Sequence, residues 1–151
     1  MRSIATIGYE SATMRSFLEA LTEAKVQLLV DVRAVASSRR PGFSKTKLAA
    51  NLAEAGIDYL HLRALGTPAD GRAAARAGRH EEMKAIFTEQ LATPEAQGQL
   101  DTVEELVKSG RRLALLCFEA RPEHCHRNLV ANALAERMPV RIEHLFPDPE
   151  D

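Results

Sequence analysis

The chain has 151 residues, of which 45% are hydrophobic and 27% charged, with a formal net charge of −1. These figures fit a water-exposed globular domain with a core of its own and exclude a fibrous or disordered chain. No apolar run approaches the roughly 20 residues that cross a bilayer, and two cysteines are too few for a disulfide framework.

The N-terminus, MRSIATIGYE, reads as a strand over Ile4–Gly8. It lacks the apolar region and the small-residue cleavage site of a signal peptide, so the expected compartment is the cytoplasm and both cysteines are expected as unbonded thiols. A helix follows over Met14–Glu23, with Phe17, Leu18 and Leu21 on one face. Val26–Val32 (VQLLVDV) is mostly apolar, as a strand covered on both faces should be. Pro41 and Gly42 mark a loop. Ser44 is placed to cap a helix that buries Leu48 and Leu52 and ends at Gly56. Ile57–Leu62 alternates apolar and polar residues, like a strand near a sheet edge.

Arg63–Arg79 is rich in Gly, Ala and Arg and reads as a long loop with at most one helical turn. Helices are expected over His80–Leu91 and Pro94–Ser109, with Gly110 as terminator. Arg112–Phe118 (RLALLCF) is a second buried strand, His124–Arg137 the last helix and Val140–Leu145 a final strand. Strands alternating with helices imply a single three-layer α/β domain with a mostly parallel central sheet flanked by helices, spanning residues 1–151.

In open sheets of this kind, ligands collect at the carboxyl ends of the strands. Those ends read Gly8-Tyr9-Glu10, Asp31-Val32-Arg33, His61-Leu62-Arg63 and Cys117-Phe118-Glu119. Packing alone does not explain so many polar groups at one edge. Charge is also uneven. Between Arg33 and His80, nine Lys/Arg face three acids, a surplus of six in a nearly neutral chain. Such a stretch is either an anion-binding surface or a solvated face. Aromatic residues are only 5% and Trp is absent, which weakens a base-stacking platform.

The stretch CFEARPEHCHRNL, Cys117–Leu129, holds both cysteines. Read as a strand end, a stiff Pro122 turn and a helix start, it offers unpaired first-turn amides, the helix dipole and Arg127 to an anion. Arg33 is expected to reach the same point, with Arg39 and His126 as further anion contacts. Glu119 or Asp31 is the candidate general acid or base, and Cys125 the candidate thiol nucleophile. Plainer readings stand beside these. Cys117 belongs to an apolar strand, Cys125 is a small packed residue, and Glu119–Arg127 is an internal ion pair. Asp31 needs a buried partner, either Arg33 or Arg127.

Known catalytic loops do not fit. A phosphatase loop needs Cys-x5-Arg and a rhodanese-like loop often has Cys-x4-Arg; neither cysteine has an arginine at those spacings. No phosphate-binding Gly-x4-Gly-Lys-Ser/Thr loop or Gly-x-Gly-x-x-Gly fingerprint is present. A zinc site from Cys117, His124, Cys125 and His126 is not expected, because an adjacent cysteine and histidine diverge on a helix. No metal is therefore assigned, and nothing in the sequence names a cofactor or an oligomeric state.

The segments TIGYES, DVRAVASSRRPGFSK, GIDYLHLRALGTP and CFEARPEHCHRNLVANAL together resemble the domain of unknown function 488 family, from about Thr6 to Leu134. The resemblance implies an α/β domain and assigns no activity. It points to Gly8, Asp31, Arg33, Ser38, Arg39, Phe43, Cys117, Glu119, Cys125, His126 and Arg127, largely the strand-end set reached from the residues themselves. Three functions compete. The first is an enzyme acting on a phosphorylated, nucleotide-like or nucleic-acid substrate. The second is a non-catalytic module that binds an anionic small molecule or nucleic acid. The third is a thiol-dependent enzyme using Cys125.

Overall fold

The computed structural model describes residues 1–149. Among them the chain forms five strands: β1 (Arg2–Gly8), β2 (Leu28–Asp31), β3 (Asp58–His61), β4 (Leu113–Cys117) and β5 (Val140–Leu145). The pairings between these five strands are all parallel, and the spatial order is β3-β2-β4-β1-β5. Six α-helices surround the sheet: α1 (Met14–Glu23), α2 (Lys45–Glu54), α3 (Ala69–Arg76), α4 (His80–Leu91), α5 (Pro94–Lys108) and α6 (His126–Arg137). The α/β fold with a parallel sheet is thus the one the alternating pattern predicts.

Side-chain alternation along the strands divides the core in two. Leu113, Leu115 and Cys117 of β4 join one cluster with Phe87, Leu100, Val103, Val130 and Leu134, from α4, α5 and α6. Ala114 and Leu116 face the other cluster, with Phe17, Leu21, Leu48 and Leu52 from α1 and α2. A strand buried on both faces cannot alternate polar residues, hence the runs LLVD and LALLC. Each fully buried Leu contributes about 1.5–3 kcal/mol of transfer energy.

Local signals set the helix starts. Thr13 and Ser16 form a reciprocal capping box on α1. Thr93 caps α5 with Pro94 at its first turn. Ser44 departs from expectation. It stands at the α2 N-cap, but its hydroxyl accepts from Ser38 N (3.0 Å) and donates to Ser38 O (3.2 Å). It ties a loop to α2 instead of capping the helix.

Two further expectations are corrected. Arg63–Arg79 is largely ordered into a 3-10 turn (Arg63–Leu65) and the whole of α3. Ala and Arg favour helix, and that propensity outweighs Gly71 and the Thr67-Pro68 step. The last helix starts at His126, not His124, because Pro122–His124 forms its own 3-10 turn and leaves Cys125 extended at the N-cap (φ −126°, ψ 143°).

Candidate functional site

The parallel register brings the carboxyl ends of β1, β2, β3 and β4 to one edge, with Gly8 beside Cys117, and Asp31 between Leu116 and His61. A cavity of about 600 Å³ opens there, within the range of small-molecule sites. Its walls come from the β1 and β4 ends, the Arg33–Arg40 loop, α3 and the approach to α6.

The floor is a fixed polar cluster. The Asp31 carboxylate, fully buried, takes Arg33 as a fork: Nε donates to Oδ1 at 2.9 Å and Nη2 to Oδ2 at 2.7 Å. Tyr59 Oη donates to Oδ2 at 2.5 Å, and Arg33 N to Oδ1 at 3.0 Å. Arg33 Nη1 then donates to Tyr9 Oη (3.0 Å) and Phe43 O (2.8 Å). Burial works against the Arg33 charge, but Asp31 outweighs it and holds the guanidinium protonated above its ordinary range. The Tyr9 ring stacks on Phe43 at 4.5 Å, so Arg33 locks β1, β2 and the loop before α2 together.

The walls are basic. Arg39, Arg72 and Arg76 line the cavity, and no carboxylate pairs with any of them among the described residues. Arg72 Nη1 donates to Thr67 O (2.9 Å), which aims it along α3. Arg40 also lines the cavity and donates to Ala12 O. Thr67 Oγ1, on a residue only 4% exposed, has no hydrogen-bond partner. A buried hydroxyl without a partner is uncommon and marks a place where a ligand can supply one. Two carboxyl residues face this charge, Glu10 and Glu119. Glu10 Oε1 accepts from Ala120 N at 3.0 Å. Burial first, and the neighbouring Glu10 second, raise the Glu119 carboxyl above its usual range. Two of the exposed large apolar side chains, Val35 and Phe118, sit at the rim.

Residues 13–134 match the family model described as Domain of unknown function DUF488. The chain belongs to this family. No curated protein and no solved structure matches it.

Several of the DUF488 motif residues reached from the sequence meet at the cavity: Arg33, Arg39, Glu119, Cys125 and His126 all line it. Asp31 and Arg127 do not. Asp31 lies beneath as the partner of Arg33. Arg127 is fully buried, and its Nη1 donates to Glu119 O (2.5 Å) and Cys117 Sγ (3.4 Å), its Nη2 to Ala120 O (3.3 Å). The Glu119 carbonyl, not its carboxylate, is therefore the Arg127 partner. Burial pushes the Arg127 guanidinium down to about 10, which leaves it charged at neutral pH. Arg33 and Arg127 do not converge on one point.

His126 Nε2 lies 2.6 Å from Val32 O. A carbonyl only accepts, so Nε2 carries the proton and Nδ1 is left with a lone pair. Burial pushes the ring down to about 4 and keeps it neutral. Cys117 and Cys125 are joined through their Sγ atoms, with Cα atoms 7.2 Å apart. The expectation of two unbonded thiols is corrected here, because the end of β4 and the N-cap of α6 bring the sulfurs together.

Sequence reasoning missed Thr67, Arg72 and Arg76, all within the segment read as loop. The i, i+4 spacing of the two arginines in an Ala-rich run was the signal that they share a helix face.

Proposed function

We propose that this DUF488 protein is an enzyme acting on a small phosphorylated, nucleotide-like substrate held in the strand-end cavity. The observation that carries the reading is a concave site walled by Arg39, Arg72 and Arg76 without carboxylate partners, around a buried, unsatisfied Thr67 hydroxyl. Guanidinium groups recognise phosphate oxygens through forked, charge-assisted hydrogen bonds. The apolar rim at Val35 and Phe118 gives a flat ring a surface to lie on.

In this reading Arg39, Arg40, Arg72 and Arg76, four of the basic residues between Arg33 and His80, gather around one cavity. Arg33 is a positioning residue, since Asp31, Tyr9 and Phe43 occupy its donors. Arg127 positions the Cys117–Glu119 strand end. Glu119 is the group that transfers a proton to or from the substrate, because it faces the arginines while Glu10 is engaged by Ala120 N.

Calorimetric titration with nucleoside monophosphates and with a short single-stranded oligonucleotide, each at low and moderate salt, tests the proposal. Binding of the mononucleotide with a shallow salt dependence supports it, as does turnover that Glu119→Gln abolishes without loss of binding. Oligonucleotide binding that falls steeply with salt, with no mononucleotide binding, would replace it with a nucleic-acid module.

A further inference from the structure

Cys117 and Cys125 sit at the cavity wall with a histidine beside them. An adjacent cysteine and histidine diverge when both are helical, but Cys125 is extended and His126 is the first residue of α6. The bend at the cap turns both side chains the same way, and Cys125 Sγ lies 3.8 Å from His126 Nδ1. The ligand atoms of Cys117, Cys125 and His126 all fall within 4.8 Å of one another. We propose that, with the cysteines reduced, these three residues form a site for a thiophilic divalent cation, zinc in particular.

Three features prepare the donors. The Val32 carbonyl fixes the proton on His126 Nε2 and directs the Nδ1 lone pair toward the sulfurs, as carbonyls orient metal-binding imidazoles elsewhere. Arg127 Nη1, 3.4 Å from Cys117 Sγ, donates to a thiolate there. Cys125, at the α6 N-cap, lies in the positive field of the helix terminus, which favours its thiolate. Two thiolates and one imidazole suit zinc and disfavour magnesium or calcium, which prefer oxygen. All three residues line the cavity, so a fourth coordination position is reached from it. Three protein ligands with one open position is the arrangement of catalytic zinc rather than structural zinc.

The bonded and metal-bound forms are alternative states of the same two sulfurs. A phosphine reductant opens the disulfide: the phosphine takes oxygen from water, and the two sulfurs take the hydrogens. Zinc then displaces one proton from each thiol as the two Zn–S bonds form, and both protons pass to buffer. This inference rests on donor geometry and not on the anion reading.

The test is a cobalt titration of phosphine-reduced protein in phosphate-free buffer, after thiol titration has confirmed that both cysteines are open. Uptake of one cobalt per chain is expected. A thiolate-to-cobalt charge-transfer band should appear in the near ultraviolet, with visible bands of tetrahedral strength, and zinc should displace both. Cys117→Ser should roughly halve the charge-transfer band, and His126→Gln should shift the visible bands, while His144→Asn changes neither. Diamide oxidation of the unmodified protein back to the disulfide should abolish uptake, a control that needs no variant. A reduced protein that develops no charge-transfer band, or one that keeps it after oxidation, would overturn the proposal whether or not nucleotides bind.

Discussion

Asp31 and Arg33, two residues apart at the end of β2, close a two-pronged ion pair that solvent scarcely reaches: Asp31 is 0% exposed and Arg33 6%. The pair is local in sequence yet ties three segments, because Arg33 also reaches Tyr9 and Phe43. Removing one member leaves the other buried and uncompensated. Asp31→Ala is expected to lower stability by about 3–5 kcal/mol, the usual cost of breaking a buried pair from one side. Urea unfolding of the variant checks this; a loss below about 1 kcal/mol would show that the pair is solvated.

Gly8 and Glu119 meet backbone to backbone. A Cβ at Gly8 would overlap the Glu119 carbonyl and press on Arg127 Nη1. Gly8→Ala must therefore push the β4 end away from β1. A loss of about 1–3 kcal/mol is expected, typical of inserting a methyl where none fits, with a lowered melting temperature.

Arg127 braces the same strand end from below. Arg127→Ala strips partners from the Glu119 and Ala120 carbonyls, each worth about 1–3 kcal/mol if left buried and unsatisfied. Stability should fall markedly, while nucleotide affinity measured well below the melting temperature should change little. Arg39→Ala should show the reverse: affinity lost, melting temperature kept.

His144 supplies a pH signature away from the cavity. Its Nδ1 lies 2.6 Å from Thr6 Oγ1 across the β1–β5 pairing. Burial, then the charge of Arg127, lowers its pKa below the ordinary histidine value. The folded state thus favours the neutral ring, and as pH falls the unfolded chain takes up the proton first. The contribution is complete above about pH 6.5 and is lost as pH falls through the depressed folded value. Melting temperatures between pH 7.5 and 5 should fall less steeply in His144→Asn than in the unmodified protein.

How far the sequence disclosed this arrangement depends on range. The β2 and β4 runs are apolar throughout because both faces are covered, so their place in a parallel sheet was readable. Met14–Glu23 was readable to the residue from the spacing of Phe17, Leu18 and Leu21. The strand-end residues Arg33 and Glu119 could be placed at one edge because parallel strands share a polarity. What local pattern does not carry is which way a long side chain turns. Arg33 and Arg127 look alike beside polar neighbours, yet one folds onto Asp31 and the other onto the carbonyls of Glu119 and Ala120. Nor does it carry the α3 wall, where helix propensity competed with Gly71 and Thr67-Pro68. The approach of Cys125 to Cys117 and His126 depended on a helix starting two residues later than its pattern suggests.

Phosphate recognition by the cavity is measured most directly as mononucleotide affinity in the protein carrying both Arg39→Ala and Arg76→Ala, exposed positions on the loop and α3 walls of the cavity whose loss leaves the core untouched. Each arginine contributes charge-assisted hydrogen bonds of about 1.5–3 kcal/mol, roughly 10- to 100-fold in Kd apiece. Binding weakened by roughly 100-fold or more at unchanged melting temperature is the expected result. Equal affinity in the double variant and the unmodified protein would contradict it.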